Sequence, residues 1–396
     1  MRSPHVVIVN QNAPLELDLR PRREAETLAA AGYDVTLVGG SHAPDLVRAI
    51  TAPGVRLELY EQPREGLGVA GQVREQGQAM GRALVALRRA QRRAPVAAVH
   101  AGNPPDNLFA AGRLLRRSRP RFVFDQHDAA PVLLAEKFPG TALTAPLMAA
   151  AHTIERRSFA AAGLVVFANA EYRARAMREG LLRGDCEVVP NGWSLPAVPP
   201  DPALRAGADH LLAYVGAISE QDNVDHLVDA VAALPGPASV RVVVAGAGSA
   251  LAPVRRRARD RGVDASFVFL GFVQDRDRIA ALVRTADVCV APEIDSAFNR
   301  LATFVKIVEY MSAGAAVVAH RLPQTEALAG DTIRYAPDMT ALGLAAAITS
   351  LLDDPGRRRV LGDAARRRFD ERISWERAGG PRLVAGYDRL LGSRRG

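Results

Sequence analysis

The chain has 396 residues, 48% hydrophobic and 24% charged, a soluble globular composition that excludes a disordered or fibrous protein. It carries 51 basic against 43 acidic residues, and of the 51 only Lys137 and Lys306 are lysine. Ten arginines and one acid, Asp106, fall between Arg82 and Arg121 while the rest is near neutral, which argues against general nucleic-acid binding and for one local anionic contact.

In chain order, Val6–Asn10, Val35–Val38, Ala97–His100, Phe122–Asp125 and Leu164–Ala168 are continuous apolar runs, as strands buried on both faces should be. Helical patterns lie between them at Arg22–Ala31, Ala70–Arg93, Asn107–Arg117 and Ala145–Ala161, so the alternation predicts a parallel sheet wrapped by helices. After Val189-Pro190-Asn191-Gly192 the pattern stops. Residues 193–209, with Pro196, Pro199, Pro200 and Pro202, read as a linker. A second series follows at Leu212–Gly216, Arg241–Ala245, Phe267–Gly271, Val288–Ala291 and Ala316–Ala319, and residues 375–391 form a helix expected to pack back on the first domain. The fold class is therefore α/β, with two Rossmann-like parallel-sheet domains, 1–192 and 210–372, facing each other across a cleft. Ligands are expected at the carboxyl ends of the strands.

No run of about 18 apolar residues is present to span a membrane. Nothing before Val6 has a signal-peptide layout, and Cys186 and Cys289, each inside an apolar run, read as buried small hydrophobes with no disulfide or metal knuckle. A cytoplasmic location is the expectation.

The densest chemical signal follows Val288–Ala291. A helix from about Thr303 to Ala313 sets Lys306 and Glu309 at i and i+3 on one face, its N-terminus at a strand's carboxyl end. Backbone N–H groups there favour a phosphate, Lys306 adds a full charge, and Glu309 suits ribose hydroxyls. An amphipathic helix with one exposed salt bridge explains the same spacing.

Lys306-x-x-Glu309-Tyr-Met-x-x-Gly314 resembles the donor-site helix of GT-B glycosyltransferases of family 4, glycosyl transferases group 1. Other segments agree in order: Arg23-Glu24-Ala25, His100-Ala-Gly-Asn103-Pro-Pro-Asp106, Phe124-Asp125-Gln-His127-Asp128 with Lys137-Phe138, Pro190-Asn191-Gly192 and Ala286-Asp287-Val288. A bacterial branch of the family fits best. The resemblance implies a retaining transferase without cofactor or metal, moving a sugar from a nucleotide-diphosphate donor to an acceptor. It assigns catalysis to His127, Asp128 and Lys306, with Asp128 orienting the imidazole or touching the acceptor. Donor binding falls to Gly216, Gly246, Gly248, Asn299, Ala302, Thr303, Lys306 and Glu309. The acceptor falls to Asn12, Asn103, Asp106 and Lys137, although Asn103 and Asp106 read equally well as turn formers beside Pro104 and Pro105.

Some positions depart from the pattern. The loop Ala217–Asn223 has no cation for the diphosphate. Leu301 stands eight positions before Glu309, where the family often has a second glutamate, and Arg300 stands where the branch usually has an acid. Arg300 is read as a clamp for a phosphate or a carboxylated sugar. The acceptor is a surface glycan precursor or a specialised metabolite, and the strip Arg82–Arg121 either docks on an anionic membrane face or is a solvated surface. Two rivals remain open at this point: a nucleotide-sugar 2-epimerase of the same architecture, and a catalytically silent binding subunit.

Overall fold

The computed structural model describes residues 3–11, 13–62, 68–110, 119–137 and 144–392. Two compact units divide it: one runs to Pro190 and resumes at Gly379, and the other is Asn191–Ala378.

The first unit holds β1 (His5–Asn10), β2 (Asp34–Ser41), β3 (Val55–Glu61), β4 (Val96–Gly102), β5 (Arg121–Gln126), β6 (Leu164–Phe167) and β7 (Asp185–Val188). They form one parallel sheet in the order β3-β2-β1-β4-β5-β6-β7. Every residue of β1 is buried, as its unbroken apolar run requires. The two edges, β3 (VRLELYE) and β7 (DCEV), have one neighbour each, are partly exposed and tolerate charge, so no apolar run announces them. Cys186 sits half-buried in β7 and so departs from the expected core position; Cys289 is buried, and both are free thiols.

The expected helix over 375–391 is two elements, a π-helical turn Trp375–Gly379 and an α-helix Gly380–Leu391. The α-helix packs on β6, β7 and helix Leu19–Ala30. Its Arg389 bonds Asp185 at 2.7 Å and Glu187 at 2.5 Å. Helix Gly68–Arg93 leaves Arg88, Arg89, Arg92 and Arg93 exposed, with Arg93 paired to Glu58 at 2.7 Å. Among the described residues no helix is long and apolar enough to cross a membrane.

The second unit holds β8 (His210–Val215), β9 (Val240–Ala245), β10 (Phe267–Gly271), β11 (Val288–Ala291), β12 (Val317–Ala319) and β13 (Arg334–Tyr335). Their order is β10-β9-β8-β11-β12-β13, again parallel. One face packs Leu227 and Val228 against Leu344 and Ile348; the other packs Ile279 and Ile307 with Phe369. The proline-rich stretch 193–209 lies along this unit: Leu195 N donates to Ser312 Oγ at 3.0 Å and Asp201 N to Thr285 Oγ1 at 2.8 Å.

Candidate active site

In the second unit the donor-type helix is Val305–Ala313, starting two residues later than the spacing suggests. Lys306 is buried in its first turn. Its ammonium has three protons, and the fold gives each an oxygen: Tyr214 Oη at 2.7 Å, Asp222 Oδ1 at 2.9 Å and Glu293 Oε1 at 2.6 Å. Tyr214 passes its own proton to Ala217 O at 2.5 Å. The other oxygen of Asp222 is taken by Ser219 N at 3.1 Å and Ser219 Oγ at 2.7 Å, a capping box that closes the loop after β8. Burial pulls the Lys306 pKa down, but Glu293, Tyr214 and Asp222 outweigh it and hold the ammonium well above its usual range. Burial pushes the Glu293 carboxyl up against the pull of Lys306.

The exposed Lys306–Glu309 salt bridge allowed by the spacing does not form, because both side chains are buried and each has another partner. Arg276, at the start of helix Arg276–Thr285, donates to Glu309 Oε1 at 2.7 Å. Burial raises the Glu309 carboxyl, with Arg276 opposing.

The remaining donor-side residues shape loops. Asn299 Nδ2 donates to Gln221 O and Ile294 O, each at 3.0 Å, tying the segment after β11 to the loop after β8. Thr303 Oγ1 accepts from Gln324 at 3.0 Å, and Ala302 is buried. Gly216 has φ +150°, and a Cβ there would come within 2.7 Å of Lys306 Cε. Gly246 meets the Gly216 carbonyl and Gly248 meets Ile218 O in the same way, so the glycine loop is filled by its neighbour's backbone. Arg300 is exposed and held by Asp295 through two 2.6 Å bonds, an intramolecular partner for the guanidinium read as an anion clamp.

In the first unit, His127 follows the carboxyl end of β5, its side chain 14% exposed. Its orienting carboxylate is Asp125, not Asp128: Nε2 lies 2.5 Å from Asp125 Oδ2. Asp128 instead accepts from Tyr172 Oη at 3.4 Å. Arg20 grips the same Asp125 through two bonds, 2.9 and 2.7 Å, and donates to Val189 O at 2.8 Å. Glu24 Oε1 is 3.1 Å from Arg20 Nε. His100 Nε2 lies between two carboxylates, 3.2 Å from Glu24 Oε2 and 3.4 Å from Asp125 Oδ2, at ion-pair distance but off the line of a good hydrogen bond. Burial raises the Asp125 pKa, yet Arg20 and His127 overcome it and keep the carboxylate charged well below the usual range. The His127 pKa is raised, burial being outweighed by Asp125.

Asn103 clamps the His127 loop. Its Oδ1 accepts from His127 N at 2.6 Å and Asp128 N at 3.2 Å, and its Nδ2 donates to Asp106 Oδ1 at 2.6 Å and Asp128 O at 2.8 Å. Asp106, pushed up to about 7 by burial, is the buried end of that clamp. Neither behaves as an exposed acceptor-binding group. Asn12 and the Lys137 side chain lie outside the described residues.

The residues missed by sequence reasoning are the partners: Asp222, Glu293 and Arg276 in the second unit and Arg20 in the first. Asn10 Oδ1 and both polar atoms of Gln11 are buried at the carboxyl end of β1 without a partner among the described residues. A polar pair directly after a strand was the available signal. Glu24, His100 and Asp125 also bring ligand atoms within 4.8 Å of one another, as a metal site would. Arg20 already supplies the positive charge there, and the residues do not fit an added cation.

Two family models match the chain: glycosyl transferases group 1 over residues 209–354 and glycosyl transferase 4-like domain over residues 19–192. The chain is 32% identical over 176 residues to a GDP-mannose-dependent alpha-(1-6)-phosphatidylinositol dimannoside mannosyltransferase of Mycobacterium tuberculosis, a stretch that is 44% of this chain and 43% of that one. It thus spans less than half the length of that curated relative. Among solved structures, sucrose-phosphate synthase from Thermosynechococcus elongatus superposes with TM-score 0.75 at 19% identity, covering 98% of this chain and 99% of that one. WaaG, a glycosyltransferase involved in lipopolysaccharide biosynthesis, gives 0.69 at 16%, covering 98% and 100%. With two parallel-sheet units, polar clusters at strand carboxyl ends and a family match in each, the chain belongs to the group 1 glycosyltransferases and has the GT-B fold.

Proposed function

We propose that the chain transfers a hexose, with retention and without a metal, from a nucleotide-diphosphate donor to a glycan or lipid-linked precursor. The observation that carries this reading is the placement of both polar clusters at strand carboxyl ends inside the two family-matched segments. GDP-mannose is the first donor to test, because the curated relative is named for it. In this reading His127, backed by Asp125, serves the reacting sugar. The diphosphate takes the N–H groups opening helix Val305–Ala313, whose N-cap Phe304 brings no side-chain cap. Lys306, its protons all engaged, is a positioning residue that fixes the loops after β8 and β11. Glu309 and Arg276 receive the ribose.

The strip Arg82–Arg121 is proposed to dock on anionic lipid at a cytoplasmic membrane face, at about 1 kcal/mol per basic residue near the surface. A thermal-shift series with GDP-mannose, UDP-glucose and dTDP-glucose, with and without EDTA, tests the donor. Stabilisation by at least one of them, unchanged by EDTA, supports the proposal. No shift with any nucleotide sugar overturns it and leaves the silent binding subunit. Anomeric analysis of the product by NMR tests retention.

A further inference from the structure

The first unit contains a buried chain of polar contacts longer than His127 and its carboxylate need. His100 Nδ1 lies 2.9 Å from Tyr387 Oη, and the two rings are parallel with centroids 6.1 Å apart. Tyr387 belongs to helix Gly380–Leu391, 287 residues further along the chain, and is fully buried. The path therefore runs from Tyr387 Oη to His100 Nδ1, from His100 Nε2 to Asp125 Oδ2, and from Asp125 Oδ2 to His127 Nε2.

We propose that Tyr387 is a positioning residue for His127, acting through His100 and the shared oxygen Asp125 Oδ2. It rests on the reading of His127 as the group that serves the sugar. Carboxylate oxygens only accept, so His100 Nε2, lying between Glu24 and Asp125, carries a proton. When Nδ1 is protonated as well, its N–H donates to the Tyr387 oxygen, while Nε2 keeps its ion-pair contacts with Glu24 and Asp125. Burial works against that charge, but Glu24 and Asp125 prevail and raise the His100 pKa to about 9. Asp125 then shares its negative charge among Arg20, His100 and His127. The charged groups facing His127 are Asp125 in the preceding strand β5, Arg20 and Asp18 at the start of helix Leu19–Ala30, and His100 through Asp125. His100 is the group through which Tyr387 reaches Asp125, so its protonation bears on how firmly Asp125 holds the His127 proton.

Tyr387→Phe is a clean probe, since other contacts dock the helix. Tyr33 Oη donates to Asp388 Oδ1 at 2.8 Å, Arg389 bridges Asp185 and Glu187, and the Tyr33–Tyr387 edge contact at 5.6 Å survives in phenylalanine. Without the hydroxyl, the Nδ1–H of His100 has no acceptor, the neutral imidazole is favoured, and Asp125 turns more of its charge on His127. The test is a titration of ¹³C-labelled histidine ring signals in the full chain, with His127 assigned by His127→Gln. His127 should titrate about one pH unit higher in Tyr387→Phe, and higher again in His100→Gln, which removes the charge outright. An unchanged or lowered His127 titration in folded Tyr387→Phe overturns the proposal, and this variant alone decides if His100→Gln does not fold. The titration needs no substrate. If His127→Gln keeps wild-type turnover, the catalytic reading falls while the relay stands or falls on its own data.

Discussion

The two units solve the same electrostatic problem in opposite ways. In the second, one ammonium is enclosed by a phenol and two carboxylates, and all its protons are used inside the protein. In the first, one carboxylate is shared by a guanidinium and two imidazoles, one of which keeps an edge open to solvent. A saturated cation can hold loops in register but has nothing left to offer a substrate without breaking a bond. A shared carboxylate with titrating partners can hand a proton in or out. In the proposed reading Lys306 is a scaffold and His127 carries the chemistry, whereas the family resemblance gave catalytic roles to His127, Asp128 and Lys306 together.

The sharpest way to break that assignment is to delete each centre. His127→Ala should lower turnover by about 10²–10⁴-fold, the usual scale of acid–base assistance, with a far smaller fall in melting temperature than deleting Lys306. Lys306→Met should act mainly on stability, because it leaves Glu293 and Asp222 buried without their cation, at about 3–5 kcal/mol. For a unit of this size that is roughly 2–4 °C per kcal/mol in calorimetry. Lys306→Arg should not restore it, since a planar fork cannot meet three oxygens arranged around a compact ammonium, whereas adding Glu293→Gln and Asp222→Asn to Lys306→Met should recover much of the loss. A Lys306→Met protein that melts normally but loses turnover would reverse the assignment.

A smaller effect separates the units by pH. His100 titrates at 6.5 in an unfolded chain and at about 9 here, so its contribution to stability is fully present below pH 6.5 and lost as pH rises to 9. Asp106, at about 7 against 3.8, favours the protonated acid in the fold and so costs stability as pH rises from 3.8 to 7. Scanning calorimetry from pH 6 to 9.5 should show the first unit's transition falling by several degrees, and His100→Gln should flatten the upper part of that fall. Smaller still, Arg276→Ala should raise the donor KM about tenfold with little change in kcat, since it touches Glu309 and not the reacting sugar; equal losses in both would place it elsewhere. The least is expected at the surface, where replacing Arg88, Arg89 and Arg92 by glutamate should abolish salt-sensitive sedimentation with anionic liposomes and leave soluble-acceptor turnover unchanged.

The fold was legible wherever burial was symmetrical. Val6–Val9 and Val288–Ala291 announce strands because both faces are covered, whereas β3 and β7 carry charge at the sheet edges and look like loops. At the site, Lys306, Glu309 and His127 could be singled out because local motifs surround them. Their partners could not: Asp222 is 84 residues from Lys306, Arg276 is 33 from Glu309, and Arg20 is 105 from Asp125. Only the sheet order, which sets β1 beside β4 and β4 beside β5, brings such residues together. The spacing of Lys306 and Glu309 even suggested the wrong pair, because a shared helix face does not make a bond when each side chain has a better partner in the core.

The chain's return to its first unit has a consequence for how the protein is made. Residues up to Pro190 leave the ribosome with His100 still lacking the helix that covers it in the finished fold, and that helix follows only after the whole of Asn191–Ala378. At about 5–20 residues per second, the first sheet waits roughly 10–40 s for its last helix. During that interval β6 and β7 lack their cover, so the nascent chain is most open to chaperones and proteases while its second unit is being synthesised.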